Sequence, residues 1–168
     1  MTISIPSSVV DSFNEGIDAI ITAFGVPCKL YYAPKVTSCP NCYVDPNSQL
    51  SSHRYKADGP IPFTNGSLCP YCNGQGNIQE PSTETISLCV YWTSKEFKKI
   101  AQVQFDVPEG AILTKGYMTD FPKIQRAIEI QVNTTIEGII DYRYVRYKEG
   151  IPSGFLGNRY ILQFWNRK

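Results

Sequence analysis

Four of the six cysteines in this 168-residue chain occur as two CxxC pairs, and these are the residues best suited to chemistry. The pairs are Cys39-Pro-Asn-Cys42 and Cys69-Pro-Tyr-Cys72. Each CxxC turn directs both sulfurs to one side, so two turns can surround one tetrahedral ion with four thiolates. The spacing therefore predicts a structural Zn²⁺ site with Cys39, Cys42, Cys69 and Cys72 as ligands.

The segment that carries these pairs, residues 36–82, cannot build a core from apolar side chains alone. It contains six of the twelve prolines, the only histidine and few large aliphatic residues. A small unit without an apolar core needs another source of stability, and a bound metal would supply the missing folding free energy. We expect residues 36–82 to be a zinc-ribbon insertion.

Two other uses of the cysteines compete with zinc. A disulfide framework needs an oxidising compartment, which we do not expect here because Met1 to Val10 lack the basic n-region of a secretion signal. Thiol redox chemistry is the second, because Cys69-Pro-Tyr-Cys72 is also the active-site tetrapeptide of glutaredoxin-like proteins. There a helix begins at the first cysteine and lowers its pKa, whereas the residues after Cys72, Asn-Gly-Gln-Gly-Asn, disfavour a helix.

The run Cys69-Pro-Tyr-Cys-Asn-Gly-Gln-Gly76 resembles one unit of the CxxCxGxG zinc element of J-domain cochaperones. That family carries four such units, whereas the first pair of this chain lacks both glycines. The resemblance covers eight residues, and it implies zinc without implying chaperone activity.

The remaining cysteines and the histidine have simpler interpretations. Cys28 and Cys89 lie in apolar, strand-like runs, which predicts small buried side chains. His53 lies in a polar stretch and could replace a missing ligand, but four thiolates already complete a closed site. We expect His53 to be an exposed loop residue.

The rest of the chain predicts a mainly β fold that follows one N-terminal helix. Residues Ser7 to Phe24 place apolar side chains three and four apart, and Gly25 and Pro27 end this helix. Short alternating runs with turns between them predict an antiparallel β-barrel or sandwich. The runs are residues 28–32, 85–92, 101–107, 111–118, 127–132, 142–147 and 159–165, and residues 93–100 could form a helical turn. The predicted parts are therefore 1–35 (helix and first strand), 36–82 (insertion) and 83–168 (remainder of the barrel).

Composition and the lack of catalytic motifs narrow the classes of function. Sixteen Lys and Arg balance fifteen Asp and Glu, so no global field attracts the chain to nucleic acid or acidic lipid. No apolar run is long enough to span a membrane, which predicts a soluble product made in the cytoplasm. Nucleotide-binding and HExxH motifs are absent, and we expect the scattered carboxylates to be solvated. We therefore expect no enzymatic activity. The scattered carboxylates include Asp106, Glu109, Asp120 and Glu129.

Basic residues concentrate at the C-terminal end. Residues 141–168 contain six Lys and Arg, interleaved with aromatic residues, and only two acidic residues. Arginine beside aromatic rings can bind single-stranded nucleic acid, but an alternating strand of this kind also suits a subunit contact. We favour the subunit contact over nucleic-acid binding, although the two are compatible if subunits form a ring around DNA. The basic residues are Arg143, Arg146, Lys148, Arg159, Arg167 and Lys168.

The order of these features resembles a virion neck protein of tailed bacteriophages, of the head-closure or stopper type. The resemblance rests on the helix ending at Phe24-Gly25, the strand Lys29-Leu-Tyr-Tyr32, a large insertion, and a barrel containing the run from Pro108 to Ile124. The Gly116 to Ile124 stretch resembles the middle of such proteins, in which a strand leads into Asp120-Phe-Pro122 and then into Ala127-Ile-Glu-Ile130.

This resemblance implies a homo-oligomeric ring below the portal that closes the head, joins it to the tail and surrounds the DNA channel. Implied partners are neighbouring connector, portal-adaptor and tail proteins, with non-specific DNA contact in the channel and no membrane. The implied location is the virion. Three alternatives stay open: a tail or baseplate component, a stand-alone zinc-ribbon adaptor for nucleic acid or protein, and a thiol-redox protein using Cys69 and Cys72.

Overall fold

The computed structural model describes residues 5–93, 108–133, 142–155 and 157–168. Within these residues the fold is mainly β, with 43% strand against 19% helix, which confirms the predicted fold class. The predicted strand at 101–107 and most of the predicted helical turn at 93–100 lie outside the described residues. In chain order the elements are α1 (Ser7–Phe24), β1 (Val26–Tyr31), β2 (Lys35–Ser38), β3 (Cys42–Val44), β4 (Ser51–Tyr55), β5 (Asn77–Glu80), β6 (Thr83–Tyr91), β7 (Ile112–Tyr117), a 3₁₀ turn (Met118–Asp120), α2 (Phe121–Arg126), β8 (Glu129–Val132), β9 (Arg143–Ser153) and β10 (Tyr160–Arg167).

The chain divides into two compact units. One is Ala33–Ser82, which begins slightly before the predicted insertion at 36–82, and the other contains the chain on both sides of it. In Ala33–Ser82, β2 pairs with β5 and β3 pairs with β4 as two separate antiparallel ribbons. Such short ribbons offer little apolar surface, so this unit depends on its cysteines for a core.

The second unit is a closed barrel with the strand order β1-β6-β7-β10-β9-β8. Every neighbouring pair is antiparallel, and β8 pairs back onto β1, with Lys29 opposite Gln131 and Leu30 opposite Ile130. Closure leaves none of these six strands with an open edge for pairing. The sequence allowed a barrel or a sandwich, and the structure is a barrel.

Alternate side chains of the strands fill the barrel. Leu30, Ile130 and Trp165 are fully buried in its main apolar cluster. The Trp165 indole Nε1 donates to Thr114 Oγ1 at 2.9 Å, which gives the largest core side chain a buried hydrogen-bond partner. The core therefore fixes the orientation of Trp165 as well as burying it.

The Gly116 to Ile124 stretch spans the end of a strand and a short helical segment. Strand β7 ends at Tyr117, and a 3₁₀ turn leads into α2. Pro122 lies in the first turn of α2, where its missing N–H removes no helical hydrogen bond. Ile124 is only 1% exposed and packs in the barrel core. The predicted strand at 111–118 is thus observed as β7, and the segment from Met118 to Arg126 that follows it is helical.

Helix α1 has the predicted bounds and packs on the barrel through one narrow face. Ile21 is buried and joins a cluster with Cys89 and Tyr160, and Ile17 packs against that cluster. The Tyr160 hydroxyl donates to Asp18 Oδ1 at 2.8 Å, which fixes the helix to β10.

Candidate metal centre

The four cysteines of the two CxxC pairs lie together. Their Sγ atoms are all within 4.8 Å of one another, and Cys39, Cys42 and Cys69 are fully buried while Cys72 is 7% exposed. The Sγ–Sγ distances are 3.9 Å for Cys39 and Cys69 and 3.7 Å for Cys42 and Cys72. A Zn–S bond of about 2.3 Å in a tetrahedron separates its sulfurs by about 3.8 Å. The cluster therefore has the size that a tetrahedral metal ion needs.

Backbone pairing brings the two CxxC segments together. Cys39 directly follows β2, and Cys72 lies a few residues before β5, the strand that pairs with β2. The backbone N–H of Cys39 donates to the carbonyl of Gly76 at 2.9 Å, which extends this ribbon toward the thiols. Cys42 begins β3 and is held by the β3–β4 ribbon.

The two glycines after Cys72 adopt conformations that suit glycine. Gly74 and Gly76 have φ of +81° and +72°, in the left-handed region. A Cβ on Gly76 would lie 2.6 Å from the carbonyl carbon of Leu50 and 2.8 Å from the nitrogen of Ser51. The Gly76 N–H donates to Cys72 Sγ at 3.3 Å. The CxxCxGxG spacing thus reflects a tight turn that directs an amide at a thiol.

Asn41, inside the first CxxC pair, is fully buried and holds the cluster through its side chain. Its Nδ2 donates to Cys69 Sγ at 3.4 Å and to the carbonyl of Ile61 at 2.8 Å, and its Oδ1 accepts the Ile61 N–H at 2.8 Å. Its backbone N–H donates to Cys39 Sγ at 3.4 Å. The sequence prediction missed this residue, although an amide between two ligand cysteines was a signal for it.

The thiols differ in acidity because their surroundings differ. Burial acts to raise the pKa of Cys69, but hydrogen bonds from the Asn41 side chain and from the backbone of Cys72 and Tyr71 lower this pKa to about 6. Burial raises the pKa of Cys42 to about 12 and also raises the pKa of Cys39. A divalent ion would have to displace protons from Cys39 and Cys42 to gain its full set of ligands.

Aromatic and cationic groups surround the cluster. Phe63 packs against the cysteines, and its ring meets that of Tyr55 edge to face at 5.7 Å. The Lys56 ammonium donates to the carbonyl of Cys39 at 2.8 Å. The nearby positive charge of Lys56 favours the net negative charge of a four-thiolate centre.

The other sulfur and imidazole groups stay apart from this cluster. Cys28 and Cys89 are buried in the barrel unit, and all six cysteines are free thiols. His53 is half-buried in β4 and not in a loop, and its Nδ1 lies 3.0 Å from the Ser67 carbonyl oxygen. The expected buried state of Cys28 and Cys89 is observed, while His53 has a structural partner outside the thiol cluster.

Most of the basic C-terminal side chains contact other groups of the barrel unit. Glu129 lies 2.5 Å from Lys168 Nζ and 3.8 Å from Arg143 Nη1. Arg167 stacks over the Tyr142 ring at 3.8 Å. Further partners are Asp18 for Arg159 and the Gln125 carbonyl for Arg146. These contacts suit a structural role, because cations held this way are less free to bind phosphates.

Of the carboxylates expected to be solvated, Asp106 lies outside the described residues. Among the described ones, Glu129 has the clearest partners, which are Lys168 and Arg143.

Among the residues described, no helix is both long and apolar enough to cross a membrane. Comparison of the chain with protein-family models, curated proteins and solved structures found no match. The function therefore has to be argued from the site and the fold.

Proposed function

We propose that this protein is a non-enzymatic structural subunit of a phage virion neck, in which a Zn²⁺ ion bound by Cys39, Cys42, Cys69 and Cys72 holds its insertion folded. The observation that carries the metal assignment is the cluster of four buried thiols with sulfur separations of 3.7 and 3.9 Å. Tetrahedral sites of four sulfurs select zinc or iron, and amide donors to the sulfurs stabilise the thiolate charge.

A structural role for the ion follows from its four protein ligands. Catalytic zinc keeps one position open for water or substrate, whereas four cysteines close the coordination shell. The walls of Ala33–Ser82 contribute little apolar burial besides Phe63, so removal of the ion would remove most of what holds this unit together. The centre is then a folding device and not a reaction site.

The neck assignment rests on the resemblance of the element order, and exposed apolar groups support an assembly role. Large apolar side chains are exposed in both units, including Phe24 at 71% and Leu68 at 65%. Where such side chains form a contiguous patch, they mark interfaces between proteins. Subunits of a neck ring contact neighbours on several faces, so such exposure is expected of them.

Two other functions predict different behaviour. A redox protein would use Cys69, whose pKa of about 6 favours a nucleophilic thiolate, but this side chain is fully buried. A nucleic-acid adaptor would need a basic surface on Ala33–Ser82. This unit has three basic residues and three acidic ones, so it carries no excess of positive charge. These residues are Lys35, Arg54 and Lys56, and Asp45, Asp58 and Glu80.

Native mass spectrometry of the full chain, with and without a strong chelator, tests the proposal. We expect one zinc ion per chain and a series of higher oligomers, with the metal lost in the Cys39→Ser variant and retained in the matched Cys89→Ala variant. A metal-free monomer whose mass is lowered by disulfide formation would overturn the zinc centre. A zinc-bound protein that stays monomeric and binds DNA with steep salt dependence would overturn the neck assignment in favour of the adaptor.

A further inference from the structure

The outward face of α1 carries a continuous apolar stripe. Val9, Phe13, Ile20 and Phe24 are 52%, 46%, 44% and 71% exposed, and the exposed Gly16 lies between them. At 3.6 residues per turn these five positions fall within an arc of about 80°. We call Val9, Phe13, Gly16, Ile20 and Phe24 the α1 seam. It is distinct from the face that Ile17 and Ile21 present to the barrel.

The α1 seam continues onto a neighbouring aromatic side chain. The rings of Phe13 and Phe155 are 5.2 Å apart, and Phe155 is itself 37% exposed. Single exposed apolar residues are ordinary, but a contiguous row along a helix marks a contact surface. A row at spacings of three and four residues fits a second helix better than a strand or a loop.

The charges of α1 specify which helix fits. Its only charged residues are Asp11, Glu15 and Asp18, and no Lys or Arg is present to attract an acidic partner. All three acids lie about 160–220° around the helix from the centre of the α1 seam. Two copies of α1 can therefore meet through their seams without like charges facing each other. A basic partner helix would gain no ion pair from this face.

The order of residues in the α1 seam is symmetric about the middle of the helix. In an antiparallel pair of α1 helices, Val9 of one copy lies opposite Phe24 of the other, and Phe13 opposite Ile20. Gly16 then falls beside the two-fold axis, where the helices approach most closely. A Cβ on Gly16 would meet nothing within 4 Å, so its backbone is open to a neighbour. Small residues at such positions allow close helix packing.

We propose that the α1 seam is a self-association surface on which α1 of a second copy of this chain docks in antiparallel orientation. The contact is isologous, so this surface by itself pairs only two copies, and any larger oligomer needs a further interface. This inference goes beyond the proposed neck function and does not depend on it, because it concerns neither the metal ion nor virion components.

Cysteine cross-linking of the full chain tests the orientation directly. All six native cysteines are buried, so an introduced surface cysteine is the thiol most accessible to a short bismaleimide. We expect a mixture of Val9→Cys and Phe24→Cys proteins to give at least about tenfold more covalent dimer than either variant alone. A mixture of Ser8→Cys and Thr22→Cys, which are exposed positions off the seam, is the matched control and should give little dimer. Strong cross-linking of each variant with itself would overturn the antiparallel pair, and equal yields from seam and control mixtures would overturn the surface.

Light scattering after size exclusion tests the contribution of the α1 seam. Ile20→Glu places a carboxylate in the contact, and we expect its dimer dissociation constant to rise at least about tenfold, equivalent to about 1.4 kcal/mol. Thr22→Glu introduces the same charge on another face and should leave the constant unchanged. Circular dichroism should show equal helix content in both variants, because both side chains are exposed. A wild-type chain that stays monomeric up to its solubility limit, or equal effects of the two variants, would overturn the proposal. A purified wild-type chain that forms this dimer but holds no zinc would contradict only the proposed metal centre.

Discussion

Four hydrogen bonds connect Asn41 to Cys39, Ile61 and Cys69. It donates to Cys69 Sγ and to the carbonyl of Ile61, accepts the Ile61 N–H, and donates its own N–H to Cys39 Sγ. Only an amide side chain offers both a donor and an acceptor in this geometry. Groups of this kind orient metal ligands without binding the metal themselves.

We predict that Asn41→Ala lowers metal affinity by about 10- to 100-fold, the usual effect of losing a group that orients ligands. The substitution removes the donor to Cys69 and leaves the buried Ile61 N–H without its acceptor. Competition against a chromophoric chelator at pH 7 measures the change. Asn47→Ala, in an exposed turn of the same unit, is the control. Equal affinities of the two variants would show that Asn41 does not orient the thiols.

At the residue scale, the sequence contained the positions of the four clustered cysteines but not the network that holds them. The CxxC spacing predicted which four thiols meet, because that spacing has a local geometric meaning. The pairing of Asn41 with Ile61 depends on how the chain folds between the two cysteine pairs. Nothing in the local spacing encodes that contact.

At the scale of elements, the contact of α1 with β10 combines apolar packing with a small polar network. Tyr160 is fully buried, and its hydroxyl donates to Asp18 Oδ1 at 2.8 Å and to the Asn14 carbonyl at 3.1 Å. Arg159 forms an ion pair with the other oxygen of Asp18. Hydrogen bonding from Arg159 is the main reason that the pKa of Asp18 lies below its ordinary value.

We predict that Asp18→Asn lowers the Tm of the barrel by roughly 1–2 °C at pH 7, a small effect because the ion pair is partly exposed. The folded-state pKa of Asp18 is below its ordinary value of 3.8, so its carboxylate stabilises the fold above about pH 4. That contribution decreases as pH falls through the lowered pKa, so the difference between wild type and variant should be smaller at pH 2.5 than at pH 7. Thermal unfolding at the two pH values measures this. Asp11→Asn is the control, since Asp11 forms no ion pair with any described residue; a difference of the same size at both pH values would contradict the assignment.

Element positions followed from sequence periodicity, whereas their arrangement did not. Alternation predicted β6 to β10 to within a few residues at most ends, because each strand has one face in the barrel core. The extension of β9 to Ser153 was missed, since Gly150 and Pro152 interrupt its pattern. Closure through β8 and β1 depends on pairing between distant segments, which no local pattern reports. The exposure of Phe13, Ile20 and Phe24 was likewise hidden, because an apolar stripe does not reveal which half of it meets the barrel.

At the scale of the whole molecule, the two units are stabilised by different means. The barrel buries aliphatic and aromatic side chains, whereas the buried cluster of Ala33–Ser82 consists of Cys39, Cys42, Cys69 and Cys72. Such a unit should respond to metal removal while a barrel with its own core does not.

We predict that Cys39→Ser abolishes hydrogen-exchange protection in residues 33–82 and leaves the barrel peptides protected. Serine cannot replace the thiolate, and an incomplete ligand set binds the ion too weakly to fold the unit. Hydrogen exchange followed by mass spectrometry measures both units in one experiment. Cys28→Ala is the reciprocal control, because Cys28 is fully buried in the barrel core. Unchanged protection of residues 36–82 in Cys39→Ser would contradict a structural role for the metal.

The insertion begins and ends at one antiparallel strand pair. Tyr31 of β1 lies opposite Thr83 of β6, so their Cα atoms are only about 5 Å apart. A tight turn could bridge this gap, because neighbouring antiparallel strands are commonly joined by two residues. Without Ala33–Ser82 only Tyr32 lies between these paired residues, so exchange of Ala33–Ser82 for a single residue would give a two-residue turn and keep the register of every barrel strand. A single genetic event could therefore exchange this cassette, and descendants of one ancestral barrel could differ in their need for metal while sharing the same six strands.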